Sequence, residues 1–244
     1  YVKREYDLHT NENMHQVVQR AFQIASTEPC GPVYLSLPRE LLMEKMKEVR
    51  IPDVARHAAA TTPQADTSVL SKVATMLIEA EAPLIITGDP GRRPQSAASL
   101  VELAATLSAR VIASDLRMNF PASHPLCAGS NANPYLKDAD VILLIDCAVP
   151  YVPAQAKPRP DAKLIHINID PIKQDLPMWV FPIDILIEAD SSKAIPVLSE
   201  MIRQKVNRQQ QARFKARLEQ LQSDHQQLRD KWHQAAIAKA EQKP

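Results

Sequence analysis

Gly88, Asp89, Gly91, Arg92, Asp146 and Asp170 are residue types that can hold a nucleotide, and each follows a short apolar run. GDPGRRP comes after PLIIT, Asp146 ends DVILLID, and Asp170 ends KLIHINID. Glycines let backbone approach a bound phosphate. Arg92 and Arg93 can pair with it, and a helix starting near Gln95 would aim free N–H groups at it. Asp170 stands where such folds hold a pair of ribose hydroxyls. The same residues also suit plain turn chemistry, with Gly88 and Gly91 shaping a turn and Asp170 capping the next segment. Both readings stay open from the residues alone.

Other chemistries find less footing. Only four glycines are present, which excludes a G-x-G-x-x-G fingerprint and a Walker loop. Cys30, Cys127 and Cys147 form neither a disulfide framework nor a zinc pattern, and point to a reducing, cytoplasmic setting. The seven histidines make no H-x-x-x-H pair. Ser36 and Ser114 lack His and Asp partners at recognisable spacing, so a hydrolase is not indicated. Twenty-nine basic against 28 acidic residues leave a net charge of +1, with no electrostatic case for nucleic acid. The longest apolar runs are about seven residues, against roughly 20 for a membrane span. No signal peptide is visible.

The elements that must position these residues follow from periodicity. Segment 11–27 carries Met14, Val17, Val18, Ala21, Phe22 and Ala25 at helical spacing, with Thr10 or Asn11 as cap. VYLSLP is a strand and RELLMEKM a short helical turn. One strand and two helices close no core, so 1–46 is expected to be the tail of an α/β domain. Residues 47–66 have no clear period and are expected to be a linker. From 67 to 205, helices and short apolar strands alternate: TSVLSKVATMLIEA, PLIIT, PQSAASLVELAATLSA, RVIAS, NPYLKDA, DVILLID, KLIHINID and SSKAIPVLSEMIRQK. This predicts an α/β fold, a doubly wound, Rossmann-like parallel sheet with helices on both faces. Ligands in such sheets lie beyond the carboxyl ends of the strands, where strand order reverses.

The last segment, 206–244, is glutamine-rich and polar. Phe214, Leu218, Leu221, Leu228, Trp232 and Ala235 recur at three- and four-residue steps. That is a narrow apolar stripe on a long helix, suited to packing on a neighbouring domain, to fraying, or to a coiled-coil seam.

The order of segments resembles thiamine diphosphate-dependent decarboxylases and carboligases, acetolactate synthase being the nearest large group. GPVYLSLPREL is similar to the G-P-V-x-L-x-L-P-x-D segment that ends the family's pyrimidine-binding domain, and the helix before it fits. PLIITGDPG resembles the opening of the central domain, FPASHPLCAG the family's F-P-x-x-H-P-L-x-x-G, and KLIHINIDP its H-I-D-I-D strand. The resemblance covers about 1–205. It implies that 1–46 is the end of the pyrimidine-binding domain, that 67–205 is the central domain, and that 206–244 leads toward a pyrophosphate-binding domain. It also implies a dimeric or tetrameric parent that holds thiamine diphosphate and Mg2+ between its first and third domains, on parts of them that lie outside this chain. That parent would decarboxylate a 2-keto acid such as pyruvate and pass the product carbanion to an acceptor; this chain alone would be inactive, with no catalytic residue of its own.

Asp89 and Asn119 resemble the family's G-D-G…N magnesium pattern, but Pro90 replaces its last glycine, so no metal is expected there. The central domain of relatives takes FAD, ADP or nothing. Relatives that hold FAD show G-x-R-F after the third strand, where this chain has Asp146-Cys147-Ala148-Val149-Pro150-Tyr151. RMNFP also lacks the glycines of M-G-K-G. An empty or degenerate nucleotide cleft is therefore expected. The alternatives are a stand-alone nucleotide-binding module, NAD-like, FAD or ADP, and a scaffold with a helical partner-binding tail.

Overall fold

The computed structural model describes residues 2–46, 53–113 and 117–241. The chain divides into two compact units, 1–63 and 64–244.

In the first unit, β1 (Arg4–Asp7) and β2 (Val33–Ser36) pair in parallel, Arg4 opposite Val33. Helix α1 (Met14–Ser26) connects them, preceded by a 3-10 turn that Thr10 caps. Lys3 Nζ donates to Ile24 O at 2.8 Å and Thr27 O at 2.5 Å, closing the C-terminal end of α1. β1 was not expected from sequence, because all four of its residues are exposed and show no alternation. β2 pairs with β1 in a two-stranded sheet separate from the five later strands. Helix α2 is a single turn, Arg39–Met43. Of the expected linker, 47–52 lie outside the described residues. Val54–His57 form a 3-10 turn that Asp53 caps through Ala55 N.

The second unit is a five-stranded parallel sheet in the order β4-β3-β5-β6-β7. Its strands are β3 (Pro83–Thr87), β4 (Arg110–Ala113), β5 (Val141–Ile145), β6 (Lys163–Asn168) and β7 (Ile185–Glu188). β3 and β5 are buried along their whole length, which explains their unbroken apolar runs. β7 is an addition to the expected four. It is an edge strand in which only Ile187 is buried, so its pattern is weak.

Helices α3 (Thr67–Glu79), α4 (Pro94–Leu107) and α5 (Ser191–Lys205) pack on one face, around Ile85, Leu143, Ile145, Ile165 and Ile167. The apolar residues of α3 and α4 face inward: Leu70, Val73, Leu77, Leu100, Leu103, Ala104 and Leu107 are at most 1% exposed. The other face is covered by a 3-10 turn at Asn133–Tyr135 and by long connectors carrying Tyr151, Ala156 and Phe181. NPYLKDA therefore gives one tight turn rather than a helix.

Helix α6 (Arg208–Glu241) docks on this same unit along its first half, rather than only extending toward another domain. Phe214 and Leu221 join the core, and Arg110 pairs with Asp224 at 2.7 Å. Buried His225 holds Cys127 O through Nδ1 at 2.8 Å, and the Trp232 ring lies against Gly129, whose φ of +86° suits glycine. Of the predicted stripe, Trp232 is 43% exposed, so the seam loosens toward the C-terminus.

Candidate functional site

Strand order reverses between β3 and β5, and this fixes where a ligand crevice belongs in an open parallel sheet. The sequence-predicted residues converge on that edge. Gly88 to Arg93 follow β3, Asp146 follows β5, and Asp170 follows β6. Sequence reasoning missed the contribution of the edge strand: after β7, Asp190 and Ser191 open α5 at the same edge. The signal for Asp190 was present in DSSK, an acid directly before a helical period.

The loop after β3 is held by Asn119. Its Nδ2 donates to Gly88 O at 2.7 Å, and its Oδ1 accepts from Gly91 N at 3.0 Å. Gly88 N donates to Ile145 O at 3.0 Å, tying the loop to β5. Both glycines are needed for close approach to this chain's own backbone. A Cβ on Gly88 would sit 2.5 Å from Asp146 O and 2.8 Å from Cys147 Cα, and one on Gly91 would meet Met118 O.

Arg92 reaches across the reversal point and pairs with Asp146 Oδ2 at 2.6 Å. The Ser191 hydroxyl donates to the same oxygen. Asp146 has φ +48°, an uncommon left-handed conformation for a residue other than glycine, and it is buried. Burial pushes its carboxyl above the ordinary carboxylate range, while Arg92 and the Ser191 hydrogen bond pull it back. Arg93 lies 3.4 Å from Asp190, which caps α5 by accepting from Ser192 N at 3.0 Å. Asp89 pairs with Arg117 at 2.5 Å, and Asp170 Oδ2 accepts from Gln174 N at 3.1 Å.

One strand further on, His166 is fully buried. It stacks on Trp179 with centroids 5.4 Å apart, and Nδ1 lies 3.0 Å from Pro171 O. Burial, with Lys173 nearby, lowers its pKa from 6.5 to about 4. Lys173 is itself held below the ordinary lysine range by burial, against the pull of Asp170 and Asp146.

The magnesium pattern finds no matching geometry. The Asn119 amide is spent on both sides of its own loop, and Asp89 faces Arg117. No group of three or more His, Cys, Asp or Glu able to hold a metal occurs among the described residues. These residues do not fit a magnesium diphosphate. Among the described residues, no helix is long and apolar enough to cross a membrane.

A parallel sheet that reverses between its first and third strands, with polar groups gathered at that edge, defines a central α/β layer of the nucleotide-fold class. Residues 70–197 match the family described as thiamine pyrophosphate enzyme, central domain, and the chain belongs to that family. It is 25% identical over 215 residues to the acetolactate synthase isozyme 3 large subunit of Escherichia coli (strain K12), covering 83% of this chain and 37% of the relative. It is 25% identical over 177 residues to 2-hydroxyacyl-CoA lyase 1 of Dictyostelium discoideum, covering 70% of this chain and 30% of that protein. The crystal structure of benzoylformate decarboxylase from Polynucleobacter necessarius shares the fold, with a TM-score of 0.69 at 23% identity over 83% of this chain and 39% of that one. The chain spans about a third of the length of the curated relatives it matches.

Proposed function

We propose that this chain works within a thiamine diphosphate-dependent decarboxylase or carboligase acting on a 2-keto acid, similar to acetolactate synthase. Unit 64–244 is its central layer. The observation that carries this reading is the family match over 70–197 on a sheet ordered β4-β3-β5-β6-β7. When bound, thiamine diphosphate supplies the carbanion chemistry, and protein groups bind and orient the reactants. In this reading the cofactor and Mg2+ are held by domains on either side of the central layer, and the parent is a cytoplasmic homodimer or homotetramer. The residues of this chain act as structure: Arg92, Asp146, Ser191 and Asn119 fix the edge of the sheet from which the connectors leave. Cys30, Cys127 and Cys147, none of them in a disulfide, fit a reducing compartment.

The test is carbon dioxide release from pyruvate by the gene product taken with its flanking coding sequence, with and without thiamine diphosphate and Mg2+. Turnover that requires both additions is expected, and none from residues 1–244 alone. Cofactor-independent turnover, or cofactor-dependent turnover by 1–244 alone, would contradict the proposal.

A further inference from the structure

Open parallel sheets of this class receive nucleotides in the crevice at the strand-order reversal. Here that crevice is occupied by side chains of the chain itself. Three cations and three carboxylates gather there: Arg92 pairs with Asp146, Arg93 with Asp190, and Lys173 lies under the pull of Asp170 and Asp146. The charges balance, so no net positive charge is left over for a diphosphate. The Asp146 and Asp190 carboxylates are deeply buried, with side chains 2% and 1% exposed, and would stand against incoming negative charge. Asp190 also caps α5, placing a carboxylate at the helix end that would otherwise receive a phosphate. The clearance above Gly88 is filled by Asp146 O and Cys147 Cα, so the glycine opens no cradle. Asp146 Oδ1 is buried without a protein donor. It calls for a donor, and a diphosphate near neutral pH offers only acceptors.

We infer that Arg92, Asp146 and Ser191 form an internal latch that closes the crevice, and that this domain does not take up FAD or ADP. The latch joins the loop after β3, the end of β5 and the start of α5, so its work is to hold the sheet edge together. Each arginine that could meet a ligand phosphate already faces a buried carboxylate, Arg92 with Asp146 and Arg93 with Asp190.

The full chain is titrated with FAD and with ADP by calorimetry, and purified protein is denatured to look for released flavin. No saturable binding is expected up to about 1 mM, and no flavin; saturable binding of either nucleotide within that range, or flavin in the released material, overturns the inference. A second measurement reads the latch without any ligand. Arg92→Met and Asp146→Leu should each lower Tm by about 6 °C or more, because each removes one half of a buried ion pair and leaves the other charge poorly matched. The double variant should recover at least half of the summed loss. Single variants that change nothing, or a double variant as unstable as the two losses added, overturn the latch. If the singles do not fold, a folded double variant supports it and an unfolded one overturns it. Both measurements are independent of thiamine diphosphate, so their failure leaves the proposed enzyme family untouched, and the reverse also holds.

Discussion

Replacing Arg217 by methionine should loosen the joint between α6 and the sheet layer. The guanidinium donates to four backbone carbonyls: Ala80 at 3.0 Å, Glu81 at 2.9 Å, Leu107 at 2.5 Å and Ser108 at 2.9 Å. These carbonyls belong to the ends of α3 and α4, where backbone acceptors have no partner within their own helix. A cation there also opposes the negative end of each helix dipole. At roughly 1 kcal/mol net per hydrogen bond, four bonds give about 4 kcal/mol. Part of that is offset, since burial and neighbouring Arg213 pull the Arg217 pKa down to about 10, and Glu81 O can return to water. The expected net loss is about 2–4 kcal/mol, equivalent to a drop in Tm of about 5–15 °C for a unit of this size. Calorimetric melting of the full chain reads it, and hydrogen exchange along α6 should accelerate most between its start and Leu221. Arg217→Lys should recover less than half, because a lysine cannot span both helix ends with a planar fork. A shift of less than about 2 °C for Arg217→Met would mean that these four bonds add no net stability.

The remaining predictions concern the sheet. His166 is held neutral: the unfolded chain accepts a proton below about pH 6.5, whereas the folded one resists until about pH 4. Stability is therefore full above pH 6.5 and falls by about 3 kcal/mol as pH drops through that window, measured as urea midpoints at stepped pH. His166→Phe, which keeps the stack on Trp179, should flatten the acid slope. An unchanged slope would assign the loss to other groups. Gly88→Ala should cost about 2–4 kcal/mol in denaturant melts, since its Cβ meets backbone that cannot swing aside. Among the thiols, exposed Cys30 should react with an aromatic disulfide at once. Cys127 and Cys147 should react only on unfolding, because both are buried and the Cys147 pKa is pushed up to about 12.

Much of the second unit could be read from sequence because its strands are buried on both faces. PLIIT and VILLI have no polar interruption, and both are wholly buried. Asp190 and Pro94 mark the starts of α5 and α4, and helical periodicity supplies the rest. The elements that escaped have weak local signals. β1 is four exposed residues, and β7 buries one. Register and edge pairing, not composition, make them strands. The predicted site residues do meet at one edge, because they follow consecutive strand ends of a parallel sheet. Their pairing was not legible: Arg92 and Asp146 are separated by 54 positions, and which cation reaches which acid depends on strand order. The docking of α6 escaped for a related reason. Its stripe told that one face is covered, but the contacts of Phe214, Leu221, Arg217, Asp224 and His225 in place show that the cover is the same domain.

That this layer supports thiamine chemistry without holding the cofactor is tested by a calorimetric titration of thiamine diphosphate with Mg2+ into residues 1–244. No saturable heat is expected. One-to-one, Mg2+-dependent binding that disappears in Asp89→Ala would contradict it, because it would place the cofactor on a loop whose polar atoms are here committed to Arg117 and Asn119.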